Sequence, residues 1–294
     1  MKKIKVGSRG SNLALWQARS VIERLSRFDL ECEIEVIKTT GDINRNRFLE
    51  IPGKGIFVKE IEEALLRRDI DLAVHSLKDL PTAQPAGLTV GAILERENPR
   101  DVLIARRAHS IQDLPAGAKV GTSSLRRITQ LRSIRSDIQC QELRGNVETR
   151  IRKVQDGHLE AVILAYAGVH RLGMERHISK QLEIDEMIPA PGQGALAVEV
   201  HEENTRLREI LSQLDHPETR TATSAERLLL QNLGGGCRYP LGAFASWKDD
   251  RLVLKAMVAR PDGSAPIWGE VSGSSAAEVA DKMMLLLVKQ RIRT

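Results

Sequence analysis

The run Leu233-Gly234-Gly235-Gly236-Cys237 sets a thiol behind three glycines, where little side-chain cover shields it. The thiolate is the nucleophilic form of cysteine, and cationic neighbours favour it. The chain has three cysteines in all. Cys32 alternates with Ile34 and Val36 in ECEIEVI, and Cys140 alternates with Ile138 in DIQCQ. Both read as small apolar residues on the inner face of a strand. Cys237 follows a helical stretch at a point where no apolar period asks for it. A lone cysteine is more often structural than reactive. What favours chemistry here is the rest of the chain, which supplies cationic groups and a carboxylate at a strand end.

That carboxylate lies in Val74-His75-Ser76-Leu77-Lys78-Asp79. An apolar strand ends there in His, Ser, Lys and Asp, at the edge where α/β sheets place their ligands. Asp79 can serve as a general acid/base or as counter-ion to a developing cation. Its simpler role is a turn residue before Leu80-Pro81. His75 reads best as a buried, hydrogen-bonded histidine. The seven histidines are scattered, and none has metal-ligand spacing with a cysteine.

Two strand-to-helix turns share a second kind of chemistry. Ser8-Arg9-Gly10-Ser11 and Gly121-Thr122-Ser123-Ser124-Leu125-Arg126-Arg127 combine free backbone N–H groups, hydroxyls and guanidiniums. Such turns favour an anion, and arginine adds bidentate pairing with carboxylate or phosphate. Plain helix capping explains either turn alone. Two in matching positions favour a shared anion site. Neither has P-loop spacing, so a nucleotide phosphate is not implied. From 121 to 153 the chain also carries Arg132, Arg135, Arg144, Arg150, Arg152 and Lys153 against Asp137, Glu142 and Glu148. A basic face is usually just solvated, but residues at turns such as Arg144 in LRGN are better placed to line a cleft.

Elements that could position these groups follow from hydrophobic period. Ile4–Gly7 is a strand, followed by a helix with Leu13, Trp16, Ile22 and Leu25. Cys32–Ile37 is the next strand. Residues 39–55 form a polar loop. Phe57, Ile61, Ala64 and Leu65 mark a second helix, and 71–77 a buried strand. The order recurs at Lys119-Val120-Gly121, Ile151–Val154 and Ala161–Ala165. This implies two similar α/β lobes. Glu97-Asn98-Pro99-Arg100 marks one crossing, and Pro189-Ala190-Pro191-Gly192-Gln193-Gly194 a second, followed by strand Ala195–Val200. A third unit opens at His216-Pro217: helix Thr221–Leu233, strands Leu252–Val258 and Ile267–Val271 around a Pro261-Asp262-Gly263 turn, and helix Ala276–Arg291 capped by Ser274 or Ser275.

Bulk properties narrow the partners. The chain has 294 residues, 41% hydrophobic and 28% charged, with formal net charge +5. A basic protein attracts anions. Nine residues are Phe, Trp or Tyr, too few to offer much base stacking, so small polyanions fit better than nucleic acid. No apolar run approaches the about 20 residues that span a bilayer. The N-terminal MKKIKVGSRG lacks an apolar core. Location in the cytoplasm, with no membrane partner, is the expectation.

The segments GSRGSNLALWQA, GKGIFVKEIEEALL, AVHSLKDLP, GTSSLRR, LRGNVETR, PGQGALAVE and GGGC occur in this order over nearly the whole chain. Together they resemble hydroxymethylbilane synthase, the porphobilinogen deaminase family. The resemblance implies two α/β lobes like type II periplasmic binding proteins plus a small C-terminal α+β domain. The first lobe would be discontinuous, 1–96 with 195–213; the second would span 100–190, and 217–294 would carry the cysteine. It implies head-to-tail condensation of four porphobilinogen molecules on a covalent dipyrromethane primer, with loss of ammonia, then hydrolytic release of hydroxymethylbilane. Cys237 would hold the cofactor by a thioether, one per chain. Asp79 would be the catalytic carboxylate, stabilising a cationic azafulvene. Lys78, Ser123, Ser124, Arg126, Arg127, Arg144, Gly145 and Gln193 would bind cofactor. Arg9, Ser11, Lys54, Thr122, Arg150 and Arg171 would bind substrate carboxylates. A monomer is implied, with no nucleic acid partner. The chain departs from the family pattern at Gly234 and at Arg238-Tyr239, where Arg238 could lower the thiol pKa or meet a cofactor carboxylate. A cytoplasmic two-lobed receptor for a small anion is the alternative; it has no need of GGGC. An RNA-binding protein is a third reading, opposed by the scarcity of aromatics.

Overall fold

The computed structural model describes residues 3–39, 58–234 and 240–292. The chain divides into two compact units, Met1–Arg96 with Ala195–Arg220, and Glu97–Gly194 with Thr221–Thr294.

The first unit is built on a five-stranded sheet. Its strands are β1 (Ile4–Ser8), β2 (Cys32–Val36), β3 (Leu72–Ser76), β4 (Leu88–Ile93) and β10 (Leu196–His201), in the order β2-β1-β3-β10-β4. β1 lies parallel to both β2 and β3, while β10 runs antiparallel to its neighbours. Helix α1 (Asn12–Leu25) packs Ala18, Val21 and Leu25 onto one face, against Val6, Leu72, Val74 and Val198. Helix α2 (Lys59–Leu66) covers the other with Ile61, Ala64 and Leu65, against Ile70 and Ala73. The 3.6-residue apolar period thus selects the buried stripe of each helix. Helix α6 (Thr205–Ser212), which hydrophobic period did not indicate, adds Leu207 and Leu211 to the core.

The second unit repeats the plan. Strands β5 (Asp101–Ala105), β6 (Lys119–Gly121), β7 (Gln139–Gln141), β8 (Ala161–Ala165) and β9 (Lys180–Gln181) are ordered β7-β6-β8-β5-β9. β6 is parallel to β7 and β8, and β5 is the antiparallel member. Helices α3 (Leu125–Ile134), α4 (Val147–Gln155) and α5 (Tyr166–Arg171) connect them. The two orders superpose strand for strand, β1 on β6 and β10 on β5. That is the type II periplasmic-binding-protein topology, in which the antiparallel strand comes from the far side of a chain crossing. The duplication expected from sequence is therefore present. β4, β5 and β9 extend the sheets beyond what periodicity indicated.

Helix α7 (Pro217–Asn232) leads into a three-stranded antiparallel sheet, β11 (Leu241–Lys248), β12 (Arg251–Val258) and β13 (Ile267–Gly273), and helix α8 (Ala276–Ile292) closes it. Ala225, Leu229, Leu254, Ala256, Val279 and Met283 form its own core. The Ser275 hydroxyl accepts from Glu278 N–H at 3.3 Å, the cap anticipated for the last helix. β11 was not anticipated, because Leu241–Lys248 mixes small and polar residues without strict alternation. Glu226 of α7 is fully buried and accepts from Gly192 N–H at 2.6 Å and Ala245 N–H at 2.8 Å, so α7 is tied both to β11 and to the 189–194 crossing.

Under α2, His75 Nε2 lies 3.1 Å from Glu199 Oε2, both side chains buried, which bears out the hydrogen-bonded role for His75. Glu62 approaches from the helix, and burial, then the Glu199 charge, push its carboxyl up to about 7 against a smaller opposing effect of His75. The folded chain therefore keeps a proton that the unfolded chain releases near 4.5. Stability from this site is complete below the unfolded value and is lost as pH rises through about 7. Glu62→Gln should match the parent in melting temperature near about pH 4 and exceed it near about pH 8. Parallel melting curves of the two proteins across that range would contradict the assignment.

Candidate active site

In the first unit the candidate residues sit on two turns at one sheet edge. β1 and β3 are parallel neighbours, paired Val6 to Leu72 and Gly7 to Ala73. The turns that follow them therefore leave the sheet side by side. The first carries Arg9 and Ser11; the second, a 3₁₀ turn Leu77–Asp79, carries Lys78 and Asp79. Gln17 Nε2 donates to Ser76 Oγ at 2.8 Å, clipping α1 to the end of β3. Leu77 is buried and donates its N–H to Ala195 O at 3.0 Å, which anchors the second turn. Lys78 is half-buried, and Asp79 is exposed. Ser11 Oγ accepts from Ala14 N–H at 3.3 Å. Its hydroxyl is thus an N-cap, the simpler role named for this turn, with its own O–H still available to donate.

The second unit repeats the arrangement with more charge. β6 lies between β7 and β8, all parallel, so the segments after them share an edge. After β6 comes Thr122-Ser123-Ser124; after β7, Arg144 and Gly145; after β8, α5 with Arg171. Ser124 caps α3, accepting from Arg127 N–H at 3.5 Å. Ser123 Oγ donates to Leu143 O at 2.9 Å and accepts from Leu143 N–H at 3.0 Å, stitching the two turns together. Thr122 is buried and its hydroxyl accepts from Ser124 N–H at 3.2 Å. Gly145 has φ 113°, a left-handed conformation that a side chain would strain, and its carbonyl accepts from Arg150 Nε at 2.7 Å. Arg144 is exposed and paired with Glu142, 2.8 Å from Nε. Buried Arg171 donates to Gly194 O at 2.7 Å.

At the centre stands a residue that the sequence reading did not single out. Asp101, the first residue of β5, is fully buried. Its Oδ2 accepts from Arg126 Nη1 at 2.7 Å and its Oδ1 from Arg127 Nη2 at 2.7 Å. Gln193 Nε2 donates to Oδ1 at 2.9 Å and to Pro99 O at 2.7 Å. Arg126 also donates to Ile188 O, and Arg127 to Ile163 O, each at 2.8 Å. Burial alone would raise the Asp101 carboxyl, but Arg126 and Arg127 together hold it well below the usual carboxylate range. Burial pushes the Arg126 guanidinium down from its ordinary value, and Asp101 pulls against that. Two guanidiniums and one carboxylate leave one positive charge inside the protein. The Nε atoms of Arg126 and Arg127 are buried without a hydrogen-bond partner among the described residues.

Structure thus gathers Arg126, Arg127 and Gln193 around one carboxylate, and aligns Thr122, Ser123, Ser124, Arg144, Gly145, Arg150 and Arg171 along the same sheet edge. Arg9, Ser11, Lys78 and Asp79 occupy the equivalent edge of the first unit. Lys54, Cys237 and Arg238 lie outside the described residues. Sequence reasoning passed over Asp101, Glu199 and Glu226. One signal was available for all three: an acid inside an apolar run, in DVLIA, LAVEV and TSAERLLL, needs a buried partner.

The family described as "Porphobilinogen deaminase, dipyromethane cofactor binding domain" matches residues 4–209, and "Porphobilinogen deaminase, C-terminal domain" matches 220–289. A porphobilinogen deaminase of Carboxydothermus hydrogenoformans is 48% identical over 276 residues, covering 93% of this chain and 89% of that protein. One of Chromobacterium violaceum is 45% identical over 295 residues, covering 99% and 95%. A solved periplasmic VFT2 domain of Bordetella pertussis BvgS aligns over 72% of this chain and 86% of that one, at 16% identity and TM-score 0.44. The chain belongs to the porphobilinogen deaminase family, transferases of tetrapyrrole biosynthesis that carry a dipyrromethane cofactor. The donor set fits such a group: an odd buried positive charge and two orphaned Nε atoms suit a ligand that bears carboxylates.

Ser123→Ala removes both hydrogen bonds to the Leu143 peptide. It should lower the unfolding free energy by about 1–2 kcal/mol in denaturant titration, with an unchanged m-value.

Proposed function

We propose that this chain is a hydroxymethylbilane synthase that joins four porphobilinogen molecules head to tail on a dipyrromethane bound through Cys237 and then releases the product by hydrolysis. The observation that carries the reading is the uncompensated charge of the Arg126–Asp101–Arg127 triad, in a chain that matches the family over residues 4–209 and 220–289. Each pyrrole of substrate and cofactor bears an acetate and a propionate, so the occupant is a polyanion. The cofactor, when bound, supplies a pyrrole α-carbon as nucleophile.

The chain's own groups then divide the work. Arg126 and Arg127, with Lys78, Ser123, Ser124, Arg144, Gly145 and Gln193, hold cofactor carboxylates and fix the orientation of the rings. Arg9, Ser11, Lys54, Thr122, Arg150 and Arg171 receive the carboxylates of incoming substrate. A charge-assisted hydrogen bond contributes about 1.5–3 kcal/mol net, so several are needed to order a flexible chain. Asp79 stands on an exposed turn and makes no hydrogen bond or ion pair among the described residues, leaving both oxygens to face pyrrole N–H groups. An ionised carboxylate there stabilises the positive charge that develops when ammonia leaves. Its anchoring by buried Leu77 keeps that position fixed.

We further propose the three-domain division 1–96 with 195–213, 100–190, and 217–294, a monomer in the cytoplasm, and no nucleic acid partner. Among the described residues no helix is long and apolar enough to cross a membrane. A binding protein for a small anion would need the cationic edge but no tethering cysteine and no bare carboxylate.

Intact mass of the purified protein tests the tether: a two-pyrrole adduct is expected, and Cys237→Ser should abolish it. An unmodified yet fully active parent would overturn the reading. Asp79→Asn should retain the adduct and the melting temperature while kcat falls by about 100-fold or more, the usual size of a lost electrostatic contact in the transition state. Unchanged turnover of the folded Asn variant would remove Asp79 from the chemistry.

A further inference from the structure

Two long cationic side chains inside a protein need an organiser. Arg126 and Arg127 are adjacent on α3, so their side chains leave the helix about 100° apart. Both nevertheless reach the same carboxylate, one at each oxygen, at 2.7 Å. Gln193 adds a third donor at 2.9 Å, and it comes from the crossing segment rather than from α3. Asp101 therefore joins three elements: β5, the first turns of α3, and the 189–194 crossing. The carbonyls of Ile188 and Ile163 fix the remaining orientation of each guanidinium. What is left over is a set of donors held at fixed angles, with both Nε atoms buried and unpaired among the described residues. A guanidinium without Asp101 could satisfy itself on nearby carbonyls in several ways. With it, one arrangement of the pair is selected.

We propose that Asp101 is a positioning residue for cofactor capture: it touches no ligand itself, but fixes Arg126, Arg127 and Gln193 so that the remaining donors of the two guanidiniums meet a dipyrromethane carboxylate at once. This rests on the assignment of those three residues to the cofactor. Preorganised donors lose little freedom on binding, so misplacing them slows capture even in a folded protein. The role differs from simple charge balance. Charge balance would be served by any buried carboxylate nearby; positioning requires this one, at this distance.

The test follows cofactor loading in the full-length protein by intact mass, with Ile104→Ala as control. Ile104 is buried in the same strand on the opposite face, away from the arginines, among Val162, Leu164 and Ile151. Asp101→Asn keeps the shape but presents an amide donor where an acceptor is needed. At a temperature where both variants are fully folded, Asp101→Asn should load about tenfold or more slowly than Ile104→Ala. Equal loading of the two would overturn the proposal, since a merely structural defect would move both alike. Asp101→Glu keeps the charge but shifts it by one methylene; compared at a temperature where it too is fully folded, it should also load more slowly than the control. Loading of Asp101→Glu at the parental rate would also overturn the proposal, because charge alone would then suffice. A parent that carries no two-pyrrole adduct would instead remove the cofactor assignment on which the proposal stands.

Discussion

One carboxylate shared by two arginines and a glutamine is the interaction on which the arginine-rich edge depends. Taking three ionised groups out of water is expensive, and such a cluster is often no more stabilising than apolar residues of the same volume. Stability is therefore a weak reason for the triad of Asp101, Arg126 and Arg127. Its charge does not close, because two cations face one anion with all three side chains buried. A cluster that is one negative charge short is suited to a ligand that brings it. The same arithmetic explains how a protein with a formal net charge of only +5 can hold a polyanion. The force comes from a few dehydrated cations rather than from the field of the whole surface.

Topology decides where that cluster stands. In each five-stranded sheet the fourth strand is antiparallel and arrives across a chain crossing. Each of these strands buries an acid. Asp101 is paired with Ala165, the last residue of β8, so it sits at the edge where the parallel strands end. Glu199 is paired with Ala73, the second residue of β3, so it lies within the sheet and meets His75 instead. The same architectural slot thus gives a ligand-edge anchor in one lobe and an interior polar contact in the other. The second unit's ends of the two crossings run together, with Glu97 N–H donating to Gly194 O at 3.3 Å and Gln193 reaching Pro99 O at 2.7 Å. The crossing turn is consequently part of the arginine cluster and not merely a connection.

What could be read from the sequence was local. Capping hydroxyls, glycine turns and apolar periods act within a few residues, and Ser11, Ser124, Ser275, α1 and the repeated strand–turn–helix order were legible for that reason. The strand-end position of Asp79 followed from the same logic. Asp101 meets its partners across 25, 26 and 92 residues of chain, and Glu226 meets Gly192 across 34. Nothing local distinguishes such an acid from a surface one except the apolar residues around it. The arginines themselves were legible as a cationic cluster, but not as a clamped pair, because the clamp is made by a strand whose place in the sheet only the fold reveals. Ser123 was legible as a turn hydroxyl, yet its observed work is to bind the Leu143 peptide from both sides.

Glu226 ties the crossing beside the cluster to α7. Both its oxygens are taken, one by Gly192 N–H beside Gln193 and one by Ala245 N–H of β11. A carboxylate accepting two backbone N–H groups in a dry interior resists displacement, because losing it would strand two buried donors. It sits on α7, the helix whose end at Asn232 leads through Gly234, φ 82°, to the glycines before Cys237. Helix α7 and the crossing that carries Gln193 are therefore locked to each other within one compact unit. Under the proposed attachment at Cys237, slack between the attachment point and the arginine contacts would reappear as freedom of the ligand's far end, so that rigidity serves the proposed role. Asp79 belongs to the other unit, where a turn anchored by buried Leu77 presents an exposed carboxylate at the end of its own sheet.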